Sequence, residues 1–66
     1  MRGIFVTDWY TIRRYDLYYS VEKRGTKDRV KIFGQNKRNI KISTYSYLVS
    51  NYGIHASIGK KYLKRN

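Results

Sequence analysis

Basic and aromatic side chains are the residues of this sequence best suited to chemistry, and the chemistry they offer is binding. The chain has 66 residues, with 15 Lys and Arg against 4 Asp and Glu, and a formal net charge of +11. After Asp28 no acidic residue occurs, although nine basic ones do. Uncompensated charge of one sign increases the self-repulsion of a folded chain, and a polyanionic partner relieves it. The sequence therefore predicts a partner rich in phosphate, most often nucleic acid.

The candidate contact residues follow from this charge distribution. We expect the bases of the acid-free segment to contact phosphates: Arg29, Lys31, Lys37, Arg38, Lys41, Lys60, Lys61, Lys64 and Arg65. Strand alternation should also expose two aromatic rings, Tyr18 and Phe33, beside these bases. Exposed rings of this kind stack the bases of single-stranded nucleic acid, and they also build protein interfaces. Composition leaves these two uses open.

Catalytic and metal-binding groups are sparse. The chain has no Cys and a single His, His55, and the acid nearest to it in sequence is Asp28. A catalytic triad would need a partner that the fold brings from far away. Four scattered carboxylates and one imidazole also make an all-protein metal site improbable. We therefore expect a protein that is not an enzyme and has no metal or cofactor.

Four short segments are predicted strands, and the period of two in the last three of them predicts an antiparallel sheet. We expect strands at residues 4–10, 15–22, 29–33 and 39–42, joined by loops at 23–28 and 34–38. In the second of these, Leu17, Tyr19 and Val21 should share one face. In the third, Val30 and Ile32 should point inward. Short strands joined by glycine-containing loops are typical of an antiparallel meander.

The last two predicted strands form a basic hairpin. If Ile32 shares the buried face with the isoleucines of residues 39–42, then Lys31 and Lys41 share the open one. The loop adds Lys37 and Arg38 at the tip. Such a hairpin is suited to a phosphate backbone or a groove. The alternative is an ordinary solvated surface.

From Ser43 the spacing changes to that of a helix. Tyr45, Leu48, Val49 and Tyr52 follow helical spacing after a capping Ser43 or Thr44, and Gly53 lies where a helix-ending glycine is expected. Residues 44–52 are also suitable strand material, so both assignments stay open. A second helix is predicted at 57–64, with Ile58, Tyr62 and Leu63 on its inner face.

Residues 48–63 resemble the helix-turn-helix of bacterial and phage DNA-binding proteins. The residues that match its pattern are Val49, Gly53, Ile54, Ser57 and the pair Tyr62-Leu63. The resemblance implies that the second helix enters the major groove. Gly59 departs from the pattern, because the family buries Val or Ile there. If the resemblance holds, Gly59→Val should stabilise the domain. If Gly59 lies in a loop with positive φ, the same change should destabilise it strongly.

The sequence as a whole predicts a small single α+β domain, with a three- to four-stranded antiparallel sheet followed by one or two short C-terminal helices. Its expected function is non-enzymatic nucleic-acid binding, with duplex DNA favoured over RNA. The alternative is a small phage- or plasmid-encoded protein that binds and inhibits a host protein with an acidic surface. Too few apolar residues follow Met1 for a signal peptide or membrane span, so we expect a cytoplasmic protein without a membrane partner. A homodimer stays open, since a chain this short buries little core.

Overall fold

The structure is a two-layer arrangement of one sheet and two helices. It is a computed structural model that describes residues 1–64. The elements are β1 (Gly3–Val6), β2 (Tyr10–Arg14), β3 (Tyr18–Lys23), β4 (Arg29–Phe33), α1 (Lys37–Tyr52), a 3₁₀ turn (Gly53–His55) and α2 (Ala56–Leu63). The strands form one antiparallel sheet in the order β1-β2-β3-β4. The predicted α+β fold, a meander followed by C-terminal helices, is confirmed.

The first predicted strand, residues 4–10, is divided by a turn. The Thr7 hydroxyl accepts hydrogen bonds from the amides of Trp9 (3.1 Å) and Tyr10 (2.9 Å), and it donates to the Tyr10 carbonyl (2.8 Å). These bonds satisfy the backbone at the reversal, as Ser and Thr side chains do in turns. The prediction of one continuous strand was therefore wrong, and β1 pairs with β2 in a hairpin.

The predicted fourth strand, residues 39–42, is helical. Asn36 caps α1, because its side-chain oxygen accepts a hydrogen bond from the Asn39 amide at 2.9 Å. The helix therefore begins at Lys37, well before the predicted cap at Ser43 or Thr44. Ile40 and Leu48 then face the sheet as buried residues, whereas Ile42 is 59% exposed. Helical geometry places Ile40 and Ile42 on different faces, so the prediction that they belong to a strand was wrong.

The core lies between the helices and one face of the sheet. Its buried side chains are Tyr10, Ile12, Tyr19, Val21, Ile32, Ile40, Leu48, Ala56 and Leu63. The predicted inward positions of Tyr19, Val21 and Ile32 are confirmed. Leu17 is not in this core, since it is 77% exposed in the turn before β3. Both helices pack on the same side, and the opposite side of the sheet is left uncovered.

Tyr10 connects the sheet to α2 through its hydroxyl group. The hydroxyl donates to the His55 carbonyl at 2.7 Å and accepts from the Gly59 amide at 3.0 Å. These two backbone groups are four residues apart, the separation that an α-helical hydrogen bond joins. Burial raises the pKa of Tyr10, although the bond from the Gly59 amide opposes this effect. The hydroxyl thus keeps its proton and serves as a donor at neutral pH.

Gly59 lies at the closest approach of α2 to the sheet. A Cβ atom here would be 2.6 Å from Leu48 Cδ1 and 2.8 Å from the Tyr10 hydroxyl oxygen. Gly59 is helical, and the glycines with positive φ among the described residues are Gly25 and Gly53. Gly59 does not lie in a loop with positive φ, so that alternative is wrong. The stabilisation by Gly59→Val that the resemblance implies is not expected either, because the helical position has no room for a side chain. Ile58, predicted on the inner face, is instead 39% exposed.

We predict that Gly59→Ala lowers the stability of the domain despite the better helix propensity of alanine. Overpacking a buried site costs about 1–3 kcal/mol, whereas replacing Gly by Ala in a helix gains about 1 kcal/mol. Chemical denaturation should therefore show a net loss for Gly59→Ala. Ser46→Ala, at an exposed position in α1, is the control and should be neutral or slightly stabilising. An increase in stability for Gly59→Ala would contradict the close approach.

Candidate nucleic-acid interface

The uncovered side of the sheet, here called the open face, is defined by strand register. Residues directly opposite one another in adjacent antiparallel strands point to the same side. The open face consists of Ile4, Val6, Thr11, Arg13, Tyr18, Ser20, Glu22, Arg29, Lys31 and Phe33. It combines cations, aromatic rings and aliphatic side chains. Such a surface can contact both the bases and the backbone of nucleic acid.

Three aromatic rings form a row at one end of the open face, here called the aromatic row. Tyr18 lies directly opposite Phe33 in the register of β3 and β4, and the ring centroids are 5.1 Å apart. Tyr15, in the preceding turn, stacks on Tyr18 at 4.6 Å with an interplanar angle of 19°. The Lys31 ammonium lies 5.3 Å from the centroid of the Tyr18 ring. The structure thus brings together the predicted Tyr18, Phe33 and Lys31, and it adds Tyr15, which sequence reasoning missed.

Exposure differs along this row. Phe33 is 61% exposed, and Tyr18 is half-buried between its neighbours. Packing on both sides holds Tyr18 in place, since Tyr15 lies on one side and Phe33 on the other. A ring that is ordered before binding loses less side-chain entropy when a ligand stacks on it. The row can therefore act as a preformed stacking platform.

A salt-bridge cluster occupies the opposite end of the open face. Glu22 Oε1 accepts hydrogen bonds from Arg13 Nη1 and from Arg29 Nη2, the latter at 3.1 Å. The hydrogen bond from Arg13 and then that from Arg29 hold the pKa of Glu22 below its ordinary value. Arg29 was predicted as a phosphate contact, whereas Arg13 was missed because it belongs to the charge-balanced first part of the chain. Glu22 therefore competes with any phosphate for both guanidinium groups.

Ser20 lies at the centre of the open face and is nevertheless fully buried. In the register its neighbours are Arg13 on β2 and Lys31 on β4. The Ser20 hydroxyl oxygen has no hydrogen-bond partner among the described residues. A small residue here lies beneath its longer neighbours, and two of these neighbours are cationic. The centre of the open face is thus flanked by one cation on each side.

The remaining predicted bases lie on the helix layer. Lys37, Arg38 and Lys41 occupy the first turns of α1, so the predicted basic hairpin with Lys37 and Arg38 at its tip was wrong. Lys31 and Lys41 do not share a face, because Lys31 is on the open face and α1 packs on the other one. The cause is the cap at Asn36, which begins the helix where a strand was expected.

The second helix carries its own group of cations. Lys60, Lys61 and Lys64 are all exposed, and the Lys60 ammonium lies 5.5 Å from the centroid of the Tyr45 ring. Arg65 lies outside the described residues. The eight predicted bases that the structure describes are therefore divided between the open face and two regions of the helix layer, and strand alternation alone could not assign them to one surface.

Part of the helix-turn-helix pattern has a direct structural counterpart. Gly53 has a φ of 56°, and its amide donates to the Val49 carbonyl as α1 ends. The prediction of a helix-ending glycine at this position is thus confirmed. A 3₁₀ turn of three residues then leads into α2. Whether α2 is used as a recognition helix remains a prediction.

His55, the last residue of this turn, packs against Trp9 in the turn between β1 and β2. Its ring stacks on the Trp9 ring, with centroids 3.7 Å apart and an interplanar angle of 14°.

Within residues 1–64, no group of three or more His, Cys, Asp or Glu side chains lies together as a metal site would require. Neither of the described helices has the length and apolar character needed to cross a membrane.

No known family model, curated protein or solved structure matches this chain. The chemistry of its side chains is therefore the guide to its function.

We predict that Glu22 makes the stability of the fold sensitive to acid. The lowered pKa of Glu22 means that the folded state favours its ionised form. The contribution of ionised Glu22 to the stability of the fold is complete above the unfolded pKa of about 4.3. It disappears as the pH falls through the lower pKa of the folded state. Thermal melts at a series of pH values should show a weaker acid dependence for Glu22→Gln than for the wild type. Asp28→Asn, in the exposed turn after β3, is the charge-matched control, and an equal change in that control would contradict the prediction.

Proposed function

We propose that this protein binds nucleic acid, with DNA as the expected partner, and does not catalyse a reaction on it. The single observation that carries the proposal is the aromatic row beside Lys31 on the uncovered face of a chain with a net charge of +11. Rings supply stacking that tolerates any base, and cations supply attraction to phosphates. The proposal places the protein in the cytoplasm, as expected from the sequence.

The open face supports contact with unpaired bases in particular. Sequence analysis favours duplex DNA, but the bases of a duplex are already stacked and offer only their edges. Phe33 is largely exposed and Tyr18 is held beside it, which suits a base turned out of its stack. In this arrangement the aromatic row contacts bases and Lys31 contacts the adjacent phosphate, whereas Arg29, at the other end of the face, contacts a phosphate farther along the strand in competition with Glu22. Duplex binding through α2 is the alternative mode of this proposal.

We predict a strong dependence of DNA affinity on salt. With on the order of 5 phosphate contacts, the logarithm of the binding constant should fall with the logarithm of salt concentration with a slope of about −4 to −5 for a duplex, and somewhat less steeply for a single strand. Fluorescence anisotropy with a labelled strand, alone and annealed to its complement, measures both slopes. Binding that is absent at low salt, or unchanged between dilute and physiological salt, would overturn the proposal.

We predict that Phe33→Ala weakens binding of a single strand more than binding of a duplex. Loss of one stacked base costs about 1–3 kcal/mol, and Phe33 is exposed enough that its removal should leave the fold intact. Ile42→Ala is the matched control, since Ile42 is 59% exposed on the helix layer, close to the 61% of Phe33. Equal losses for the two variants would show that the aromatic row is not the contact surface.

The helix-turn-helix proposal has its own test in Lys60→Ala and Lys61→Ala. If α2 is a recognition helix, these changes should reduce discrimination between DNA sequences, because each good base contact contributes roughly 1–3 kcal/mol of specificity. If α2 contacts only phosphates, the same changes should weaken all sequences alike. Competition binding with a pool of duplexes separates the two results.

A second candidate function is binding of a host protein with an acidic surface. The observation that favours it is an open cleft of about 470 Å³ between the β1–β2 hairpin and α2, lined in part by Phe5, Val6, Trp9 and Ile58. Aromatic and aliphatic side chains beside cations are typical of protein interfaces. A specific protein captured from nuclease-treated lysate, together with the absence of DNA binding, would favour this candidate over the first.

A further inference from the structure

A cavity on the helix side of the sheet is lined by four cationic side chains and, among the described residues, by no carboxylate. It has a volume of about 320 Å³ and is formed by Arg2, Arg14, Tyr15, Tyr19, Lys37 and Lys41. Arg14 and Tyr19 face each other across β2 and β3, and the two lysines come from the first turns of α1. Cationic side chains from three parts of the chain, at Arg2, at Arg14 and at the start of α1, thus line one space. This space is here called the cationic cavity.

Arg14 is a half-buried cation of this group. Its Nε atom is buried and has no hydrogen-bond partner among the described residues. The guanidinium carbon lies 5.2 Å from the centroid of the Tyr62 ring, so the aromatic face supports the charge from one side. A guanidinium group offers several donors in a fixed planar arrangement that matches the oxygens of a phosphate. Arg14 lines the cavity, so an anion there would lie beside its positive charge.

Part of the charge around the cavity is already compensated. Arg2 Nε donates to Asp16 Oδ1 at 2.6 Å, outside the cavity lining. This bond, together with the charge of Arg2, holds the pKa of Asp16 below its ordinary value, and Lys37 contributes a smaller effect in the same direction. Asp16 is 68% exposed and pairs with Arg2. This pairing leaves Arg14 and Lys37 as further positive charges in the lining.

From these observations we propose that the cationic cavity binds a phosphate group. Its volume is at the small end of the range of ligand pockets, roughly 300–1,000 Å³, so it suits a phosphate with part of its sugar. Several cations around one site favour the dianion of a phosphate monoester over the single charge of a diester. Bidentate Arg contacts and Lys point charges are the groups that bind phosphate in proteins. The chemical class of ligand is therefore a terminal phosphate.

Tyr15 joins the cavity to the aromatic row. Its side chain lines the cavity, and its ring stacks on Tyr18 at the end of that row. A strand whose terminal phosphate occupies the cavity would therefore reach the stacking platform with its first bases. We assign the phosphate to the end of a bound nucleic-acid strand, and this assignment rests on the function proposed above. A free nucleotide carries the same phosphate chemistry, so it is a separate arm of the test.

The first measurement uses the whole chain and inorganic phosphate. Amide chemical shifts from NMR, recorded at constant ionic strength, should change saturably at Arg14, Tyr19 and Lys37. Lys37→Gln should weaken this binding roughly tenfold, and Lys37→Arg should restore most of it. Lys27→Gln is the charge-matched control, since Lys27 lies in the exposed turn between β3 and β4. Shifts spread over all lysines, or an equal loss for Lys27→Gln, would show an adventitious ion only and overturn the proposal.

The second measurement compares a single strand with a 5′-phosphate, the same strand with a 5′-hydroxyl, and a nucleoside 5′-monophosphate. We expect the phosphorylated strand to bind most tightly and Lys37→Gln to remove its advantage. If strands bind equally with and without the phosphate, and inorganic phosphate gives no cavity shifts, the cavity proposal fails while the proposed function stands. If phosphate occupies the cavity but no strand binds, the proposed function fails instead. Equal affinity for the mononucleotide and the strand would overturn the assignment to a strand end.

Discussion

The two-layer arrangement depends on the buried hydroxyl of Tyr10. This one group satisfies the His55 carbonyl and the Gly59 amide at the start of α2, and its ring packs beside Tyr52 with centroids 4.7 Å apart. A hydroxyl can bridge the two only if the helix approaches closely, and Gly59 permits that approach by having no side chain. Because α2 is bound to β2 in this way, both helices stay on one side of the sheet. The other side remains uncovered, and the aromatic row lies there.

Hydrogen bonds to the backbone allow two buried hydroxyl groups to lie among apolar side chains. Thr44 donates to the Ile40 carbonyl at 2.7 Å and Tyr10 bridges two backbone groups, whereas the buried Tyr62 hydroxyl has no partner among the described residues. Such pairing removes most of the penalty for burying a hydroxyl. Most of the described Lys and Arg side chains, by contrast, are exposed on one layer or the other. Repulsion among them opposes folding, and the core must offset it with few residues.

The elements that the sequence predicted well are those in which one period is unambiguous. Tyr19 and Val21 alternate with polar neighbours, and β4 follows the same spacing. Residues 39–42 were mispredicted because Ile40 and Ile42 fit a strand, while the helical partner of Ile40 is the polar Thr44, which a hydrophobic pattern does not count. The turn after β1 was missed for a related reason. It contains no Gly, Pro or Asn, and the Thr7 hydroxyl supplies the bonds that those residues usually support.

The candidate site was only partly predictable, and the reason is electrostatic. Tyr18, Phe33 and Lys31 follow from strand alternation, and the structure places them together. Arg13 and Arg14 were overlooked because the first part of the chain is nearly neutral overall. The net charge of a segment does not show that Glu22 accepts a hydrogen bond from Arg13, whereas Arg14 has a buried nitrogen without a partner among the described residues. The distribution of the four acids in space, rather than along the chain, decides which cations can bind a ligand.

Consecutive positions on β2 determine what kind of partner can use both surfaces. Arg13 points to the open face and Arg14 to the cationic cavity, because successive strand residues alternate, and Tyr15 then connects the cavity with the aromatic row. A ligand that contacts both must pass around the turn between β2 and β3. A duplex, whose persistence length is about 150 base pairs, resists so tight a path. A single strand or a frayed end bends easily and has free bases, so if the chain binds nucleic acid as proposed, the arrangement of these three neighbouring residues suits a flexible strand better than an intact duplex.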